Sequence, residues 1–166
     1  PRSVSLSFPA VGPFILGDNT DNMTYTYPCN SGIFEKDNIK LRNRYGGKFP
    51  LQFISMDNPS ANTGIYIRTE DKEGNIQRYY TLNKSNSSGA VLEIEYDGLK
   101  VPATGIFDLI PARIGFSRGD WHAAFCAYRN WLNTWYTPAS PRKQWFREIF
   151  NYRQRFVFDT YFDALY

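Results

Sequence analysis

The sequence predicts a mainly β protein, an antiparallel β-sandwich followed by C-terminal helices. Short runs of β-branched and aromatic residues recur about every ten residues, which is typical of sandwich strands. Turns rich in Gly, Asn and Asp join these runs without intervening helices, so an alternating β-α-β arrangement is excluded. A clear helical period appears only late in the chain, from Gly119 onward.

Length and composition describe an ordinary globular chain. Its 166 residues suffice for one domain, or for one domain and a fragment of a second, and 42% of them are hydrophobic. The net charge of +3 is small and dispersed, so we expect no nucleic-acid partner. No apolar run approaches the length of a membrane span, so we expect no membrane partner. The aromatic content of 17% suits both a core and a sugar-facing surface.

The first third of the chain carries weak strand signals. Alternation of apolar and polar side chains predicts a strand at residues 2–9, and a second apolar run occupies residues 11–16. Residues 23–27 predict an edge strand that Pro28 ends, since proline cannot donate into a ladder. Residues 29–47 have no sustained period and predict a long irregular loop.

The strand signal strengthens after this loop. Residues 51–56 and 64–69 predict a hairpin, because the polar cluster between them contains an Asn-Pro turn. Further strands are predicted at residues 76–82 and 90–96, and an extended run at residues 103–116.

The organising segment is the stretch from Gly119 to Tyr136. Asp120 stands at the N-cap position, and Pro138 limits the helix at its end. Its apolar stripe must be buried, and the preceding strands are the natural partner. The stripe consists of Trp121, Ala124, Phe125, Tyr128, Leu132 and Trp135. A second, shorter helix is predicted at residues 142–152 and the beginning of a strand at residues 155–160.

Most catalytic signatures are absent from the sequence. There is no phosphate loop, Cys-x-x-Cys, His-Glu-x-x-His or nucleophile elbow. The single histidine, His122, has no evident orienting partner, which favours a surface or packing role. With one histidine and no His/Cys cluster we predict no metal and no cofactor. Cys29 and Cys126 are compatible either with a disulfide or with two free thiols.

Carboxylates are the remaining catalytic candidates. Asp108, Asp120, Asp159 and Asp163 are the residues from which a glycosidase-type pair could be drawn. Asp120 is better explained as a helix cap, and nothing in the sequence distinguishes the other three. We therefore assign no catalytic residue to this chain.

The helical segment carries a resemblance to a known family. Its pattern is Gly119-Asp120-Trp121, then an alanine, then Tyr128-Arg129-x-Trp131, and it resembles the linker helix of bacterial glycoside-hydrolase-like proteins. In these proteins a β-supersandwich precedes a (β/α)8 barrel, as in the α-galactosidase-like families. The preceding sequence also resembles this family, at Tyr27-Pro28, Ser31-Gly32, residues 49–53, residues 64–67 and Asp71.

The resemblance implies a division of the chain. Residues 1–116 would be the later part of an incomplete supersandwich, residues 117–153 a helical linker and residues 154–166 the start of the barrel. The sequence starts at Pro1 and ends in an apolar stretch, so we expect the chain to be a piece of a longer protein. Catalytic residues would then lie on the missing barrel, and the parent would be a hydrolase of carbohydrate metabolism that is secreted or periplasmic. Its expected partners are the barrel and an oligo- or polysaccharide.

Two loops are candidates for contact with sugar. Tyr45, in the loop that runs to Lys48, offers a ring that can stack on a pyranose, and Asp57, Asn58 and Asn62 offer groups for hydroxyl recognition. The same residues are also typical of turns. Two other functions stay open, a stand-alone carbohydrate-binding module and a structural β-sandwich that assembles into larger particles.

Overall fold

A computed structural model describes residues 3–29, 33–35, 38–74, 76–100, 102–103, 105–106 and 108–137, with only the backbone considered at residues 33–35. The chain divides into a compact unit, Pro1–Trp135, and a second unit, Tyr136–Tyr166, of which only the first two residues are described. The predicted helix at residues 142–152 and strand at residues 155–160 lie outside the described residues.

Nine strands, one short 3₁₀ helix and one α-helix make up the described part of the first unit. In chain order they are β1 (Ser3–Phe14), β2 (Thr24–Tyr27), β3 (Ile33–Glu35), β4 (Ile39–Arg44), β5 (Phe53–Asn58), the 3₁₀ helix (Pro59–Ala61), β6 (Thr63–Thr69), β7 (Arg78–Ser85), β8 (Gly89–Lys100), β9 (Ala112–Ser117) and α1 (Trp121–Leu132).

The strands form two antiparallel sheets. One has four strands in the order β1-β8-β7-β4, and the other has five in the order β3-β2-β5-β6-β9. The sheets pack face to face through a shared core. Its inner residues include Ile54, Met56, Ile65 and Ile67 from the five-stranded sheet and Tyr80, Leu82, Leu92 and Ile94 from the four-stranded sheet. The predicted antiparallel β-sandwich is therefore confirmed.

Four details differ from the sequence prediction. Of the extended run predicted at residues 103–116, only residues 112–116 belong to a strand among the described residues, and they lie in β9. Residues 2–9 and 11–16 do not form two strands, because the single strand β1 runs through both. Its two prolines are tolerated since β1 is an edge strand. β2 is not an edge strand, because β3 pairs with one side of it and β5 with the other. The predicted loop at residues 29–47 contains β3 and β4. In β4 only Ile39 and Leu41 show the apolar alternation, because the third inward residue, Asn43, is polar.

A buried polar network connects the two sheets. The guanidinium of Arg78, on β7, is fully buried and donates to Asp71 Oδ2 and to Gln52 Oε1, each at 2.7 Å. The Tyr80 hydroxyl lies 2.6 Å from Thr69 Oγ1, which in turn donates to Gln52 Oε1. Because Gln52 precedes β5, Thr69 ends β6 and Asp71 follows it, the network joins β7 to the opposite sheet.

Helix α1 packs on the outer face of the five-stranded sheet. Asp120 is its N-cap, as predicted, and accepts a hydrogen bond from His122 N at 3.0 Å. Phe53, on β5, is covered by the helix, and its ring lies 5.1 Å from that of Tyr128. The buried stripe consists of Ala124, Tyr128 and Trp131. Trp131 was absent from the predicted stripe, and Trp121, which was included, is only half-buried.

Candidate functional site

A groove of about 620 Å³ lies between α1 and the edge of the five-stranded sheet. We call it the α1 groove. Its polar lining comes from the end of β6 and the residues just after it, from the edge strand β9, and from the end of α1 and the turn that follows. The residues that determine its chemistry are Arg68, Glu70, Lys72, Arg113, Asn130 and Trp131.

Strand register explains how the sheet residues meet. Arg68 on β6 pairs with Phe53 on one side and with Arg113 of β9 on the other, so all three point to the outer face. Just beyond β6, Glu70 N donates to Pro111 O at 2.8 Å, which holds the acid beside both arginines. Ala127 and Trp131, four residues apart, share one face of the helix, and Thr134 lies in the turn just after it.

Arg68 ties the helix to the sheet. It is only 7% exposed, and its guanidinium donates from Nη1 to Ala127 O and from Nη2 to Glu70 Oε1. The guanidinium carbon also lies 5.7 Å from the centre of the Trp131 ring. Its buried Nε has no hydrogen-bond acceptor within the described part of the chain. Arg68 thus fixes the position of the groove wall and retains one unsatisfied donor.

The rim of the groove is more open and carries excess positive charge. Arg113 has a side chain that is 62% exposed and donates from Nε to Glu70 Oε1. No described residue accepts a hydrogen bond from its two Nη atoms, and Lys72 forms no ion pair with a described residue. Three cations therefore face one carboxylate across the groove, and several of their donors are available to a ligand.

Trp131 supplies an apolar wall. It is 8% exposed, and its ring packs between those of Tyr128 and Trp135 at 5.5 and 5.4 Å. At the same end, Thr134 Oγ1 donates to Trp131 O at 2.7 Å, while Asn130 is exposed. The wall is held by aromatic contacts and does not need a ligand to order it.

Among the described residues, the α1 groove holds one carboxylate, whereas glycoside hydrolysis uses two. The two carboxyl groups of such a site stand about 5 to 9.5 Å apart. Glu70 is the one carboxylate that lines the groove among the described residues, and both arginines engage it. Of the other sequence candidates, Asp108 is exposed and Asp120 caps the helix, whereas Asp159 and Asp163 lie outside the described residues.

The predicted sugar-contacting residues lie elsewhere. Tyr45 is half-buried at the end of β4, with the Arg78 guanidinium 4.1 Å from the centre of its ring. Asn62 is exposed, and it ends the 3₁₀ helix in the left-handed conformation, with φ of 50°. Neither residue lines the α1 groove. Asp57, Asn58 and Asn62 are brought together around the β5–β6 turn, and Tyr45 lies on the other sheet.

Asp57 and Asn58 are buried in the hairpin. Asn58 donates from Nδ2 to Leu16 O at 2.6 Å and accepts at Oδ1 from Ala61 N, so its amide holds the turn. Asp57 accepts from Ser55 Oγ at 3.1 Å, and its Oδ1 has no partner among the described residues. Burial raises the pKa of Asp57 to about 6, and the charge of Asp120 adds to the shift. Neither side chain presents a group to solvent.

His122 has the orienting partner that the sequence did not reveal. Its Nδ1 lies 2.8 Å from Asp120 Oδ1, and this contact lowers the pKa of Asp120. The imidazole is 64% exposed and stacks on Trp121 at 3.7 Å. No described serine, threonine or cysteine forms a hydrogen bond with the ring, so the pair has no nucleophile to activate.

The α1 groove escaped sequence reasoning because its residues are far apart in the chain. The available signal was Arg68, a charged residue inside the otherwise apolar run Gly64-Ile-Tyr-Ile-Arg-Thr69. A charge at such a position indicates a partner on the outer face. Finding that partner requires the β6–β9 register, which places Arg113 directly across.

The described part of the chain also has two smaller pockets, of about 210 and 90 Å³, away from this groove. It contains no group of three His, Cys, Asp or Glu side chains able to hold a metal ion, and both cysteines are free thiols. No described helix is long and apolar enough to cross a bilayer. Comparison with protein-family models, with curated proteins and with solved structures finds no match.

Proposed function

We propose that this chain is the non-catalytic β-sandwich and linker part of a glycoside-hydrolase-like protein, and that it binds saccharide in the α1 groove. The observation that carries the proposal is the lining of that groove. Planar polar side chains, Arg113, Glu70 and Asn130, converge beside the ordered wall that contains Trp131. Such a combination of hydrogen-bonding groups and an aromatic wall suits a polyhydroxylated ligand.

The chemistry of a sugar matches these groups. Adjacent hydroxyls donate and accept at the same time, so they need fixed donors and fixed acceptors side by side. Glu70 supplies acceptors, while Arg113 and the Asn130 amide supply donors. The two arginines hold Glu70 in place before a ligand arrives, which reduces the entropy lost on binding.

The supporting role rests on the linker-helix resemblance and on the packing of α1. The helix docks on the outer face of the five-stranded sheet, where Tyr128 packs against Phe53. We infer that it positions a barrel that carries the catalytic residues in a longer, secreted or periplasmic parent. A stand-alone carbohydrate-binding module would use the same groove. The length of the parent polypeptide distinguishes these two proposals.

A glycan array probed with the whole chain tests saccharide binding. We expect binding to a restricted set of glycans, and a loss of about tenfold or more in Arg113→Ala, since a charge-assisted hydrogen bond contributes about 1.5 to 3 kcal/mol. Arg44→Ala is the matched control, because it removes an exposed arginine from β4, on the other sheet. Absence of binding to every glycan, or an equal loss in the control, would contradict the proposal.

A structural assembly role is the second candidate, and one observation favours it. Apolar side chains on both edge strands β1 and β9 are exposed although they share a face with core residues. They are Val4, Leu6, Ile114 and Phe116, the last being 79% exposed. Multi-angle light scattering tests this role: it predicts self-association that Phe116→Lys abolishes, and a monomer at all concentrations would rule it out.

A further inference from the structure

We propose that the α1 groove selects an acidic saccharide, with the carboxylate of a uronic acid unit bound at Arg113. This inference rests on the proposed function and deepens it, because it names the class of sugar. The observations that carry it are the local charge, the free donors of Arg113 and the fixed position of its guanidinium.

The local charge favours an anion. Arg68, Lys72 and Arg113 line the groove with Glu70 as the one described acid, which leaves a formal excess of two positive charges (three cations less one anion). Arg68 is largely buried, so its charge is poorly screened by solvent compared with an arginine at the open surface. A neutral ligand would leave this excess uncompensated, whereas one carboxylate would balance part of it.

The geometry of Arg113 suits a carboxylate in particular. Glu70 engages its Nε and leaves both Nη atoms without an acceptor among the described residues. A guanidinium presents pairs of parallel N–H groups that match the two oxygens of a carboxylate. With Nε already held, the Nη pair is oriented before the ligand arrives, and Lys72 adds a second positive charge at the same groove.

Calorimetric titration of the whole chain tests the inference. Matched ligands are an oligogalacturonate and a neutral galactose oligomer of equal length. We expect the acidic ligand to bind about tenfold or more tightly than the neutral one. This preference should shrink as salt is raised from 50 to 500 mM, because the ion pair lies at the open rim. Arg113→Gln should remove the preference, and Arg44→Gln on the other sheet should keep it.

The outcomes separate this inference from the proposed function. Equal binding of the two ligands, or a preference that survives in Arg113→Gln, would overturn acidic selectivity and leave saccharide binding intact. Failure of a wide range of saccharides to bind would overturn both. Near-identical far-ultraviolet circular dichroism and melting temperature of the two Gln variants would show that the comparison is between folded proteins.

Discussion

At the scale of single residues, the ion-paired arginines Arg78 and Arg42 differ strongly in burial. Arg78 is fully buried between the sheets, and its guanidinium donates hydrogen bonds to Asp71 and Gln52. Arg42 pairs with Glu95 at 2.8 Å on the surface, with its side chain 46% exposed. Water solvates an exposed charge when its partner is removed, but it cannot reach a buried one. The two pairs should therefore respond very differently to mutation.

We expect Arg78→Ala to lower the free energy of unfolding by about 3 to 5 kcal/mol, because it leaves Asp71 without its buried partner. Arg42→Ala should cost at most about 1 kcal/mol. Urea denaturation of both variants and the parent chain measures the difference. Equal losses in the two variants would show that the Arg78 network does not join the sheets as described.

Asp57 makes stability depend on pH. Burial raises its pKa to about 6 in the folded chain, against about 3.9 in an unfolded chain. The folded state therefore holds the proton more tightly, so this group favours folding below about pH 4 and loses that contribution as pH rises to about 6. The loss approaches about 3 kcal/mol, since one pKa unit corresponds to 1.36 kcal/mol.

Asp57→Asn should remove this dependence. The stability of the variant relative to the parent should rise by about 2 to 3 kcal/mol between pH 4 and pH 7, because the amide carries no charge to desolvate. Urea titrations at pH 4, 5, 6 and 7 measure this difference. A constant difference across that range would contradict the burial of a titrating carboxyl group at position 57.

At the scale of elements, the sequence predicts those features that depend on residues close together in the chain. The Asp120 cap and the beginning of α1 follow from neighbouring residues, and the β5–β6 hairpin follows from two apolar runs around an Asn-Pro turn. β4 escaped prediction because its inward residue Asn43 is polar, which leaves an apolar alternation of only two residues. The α1 groove escaped it because the groove joins residues from three elements. Strand register and helix docking bring the groove residues together. Neither can be read from a short stretch of sequence.

The docking of α1 on the sheet should contribute to the stability of the chain. Trp131→Ala should destabilise the chain by about 3 to 5 kcal/mol, because it deletes a large ring that packs against Tyr128 and Trp135. His122→Ala, on the exposed side of the same helix, should cost less than about 1 kcal/mol. Guanidinium denaturation measures both. Little change in the Trp131 variant would mean that the helix is not docked on the sheet.

At the scale of the whole molecule, α1 belongs to the same compact unit as the sheets. That unit ends at Trp135, whereas the sequence resemblance places the end of the sandwich at residue 116. The helix buries Phe53 on the outer face of β5 and accepts a hydrogen bond from Arg68 at Ala127 O. Removal of the helix would expose this face and break that connection.

Truncation of the chain tests whether the sandwich depends on α1. A chain that ends after Ser117 should bind the dye ANS and unfold with less cooperativity, because the Phe53 surface is exposed to water. A chain that ends after Thr137 keeps α1 and serves as the control. Equal, fully cooperative transitions for the two truncations would show that the sandwich is independent of the helix.

The most direct test of the account is a titration of the isotopically labelled chain with saccharide, followed by ¹H–¹⁵N NMR. We expect chemical-shift changes to concentrate at Arg68, Arg113, Trp131 and Thr134, the wall and rim of the α1 groove. Changes confined to Tyr45 and the turn at Asp57, Asn58 and Asn62, or no changes with any saccharide, would contradict the assignment of this groove as the sugar site.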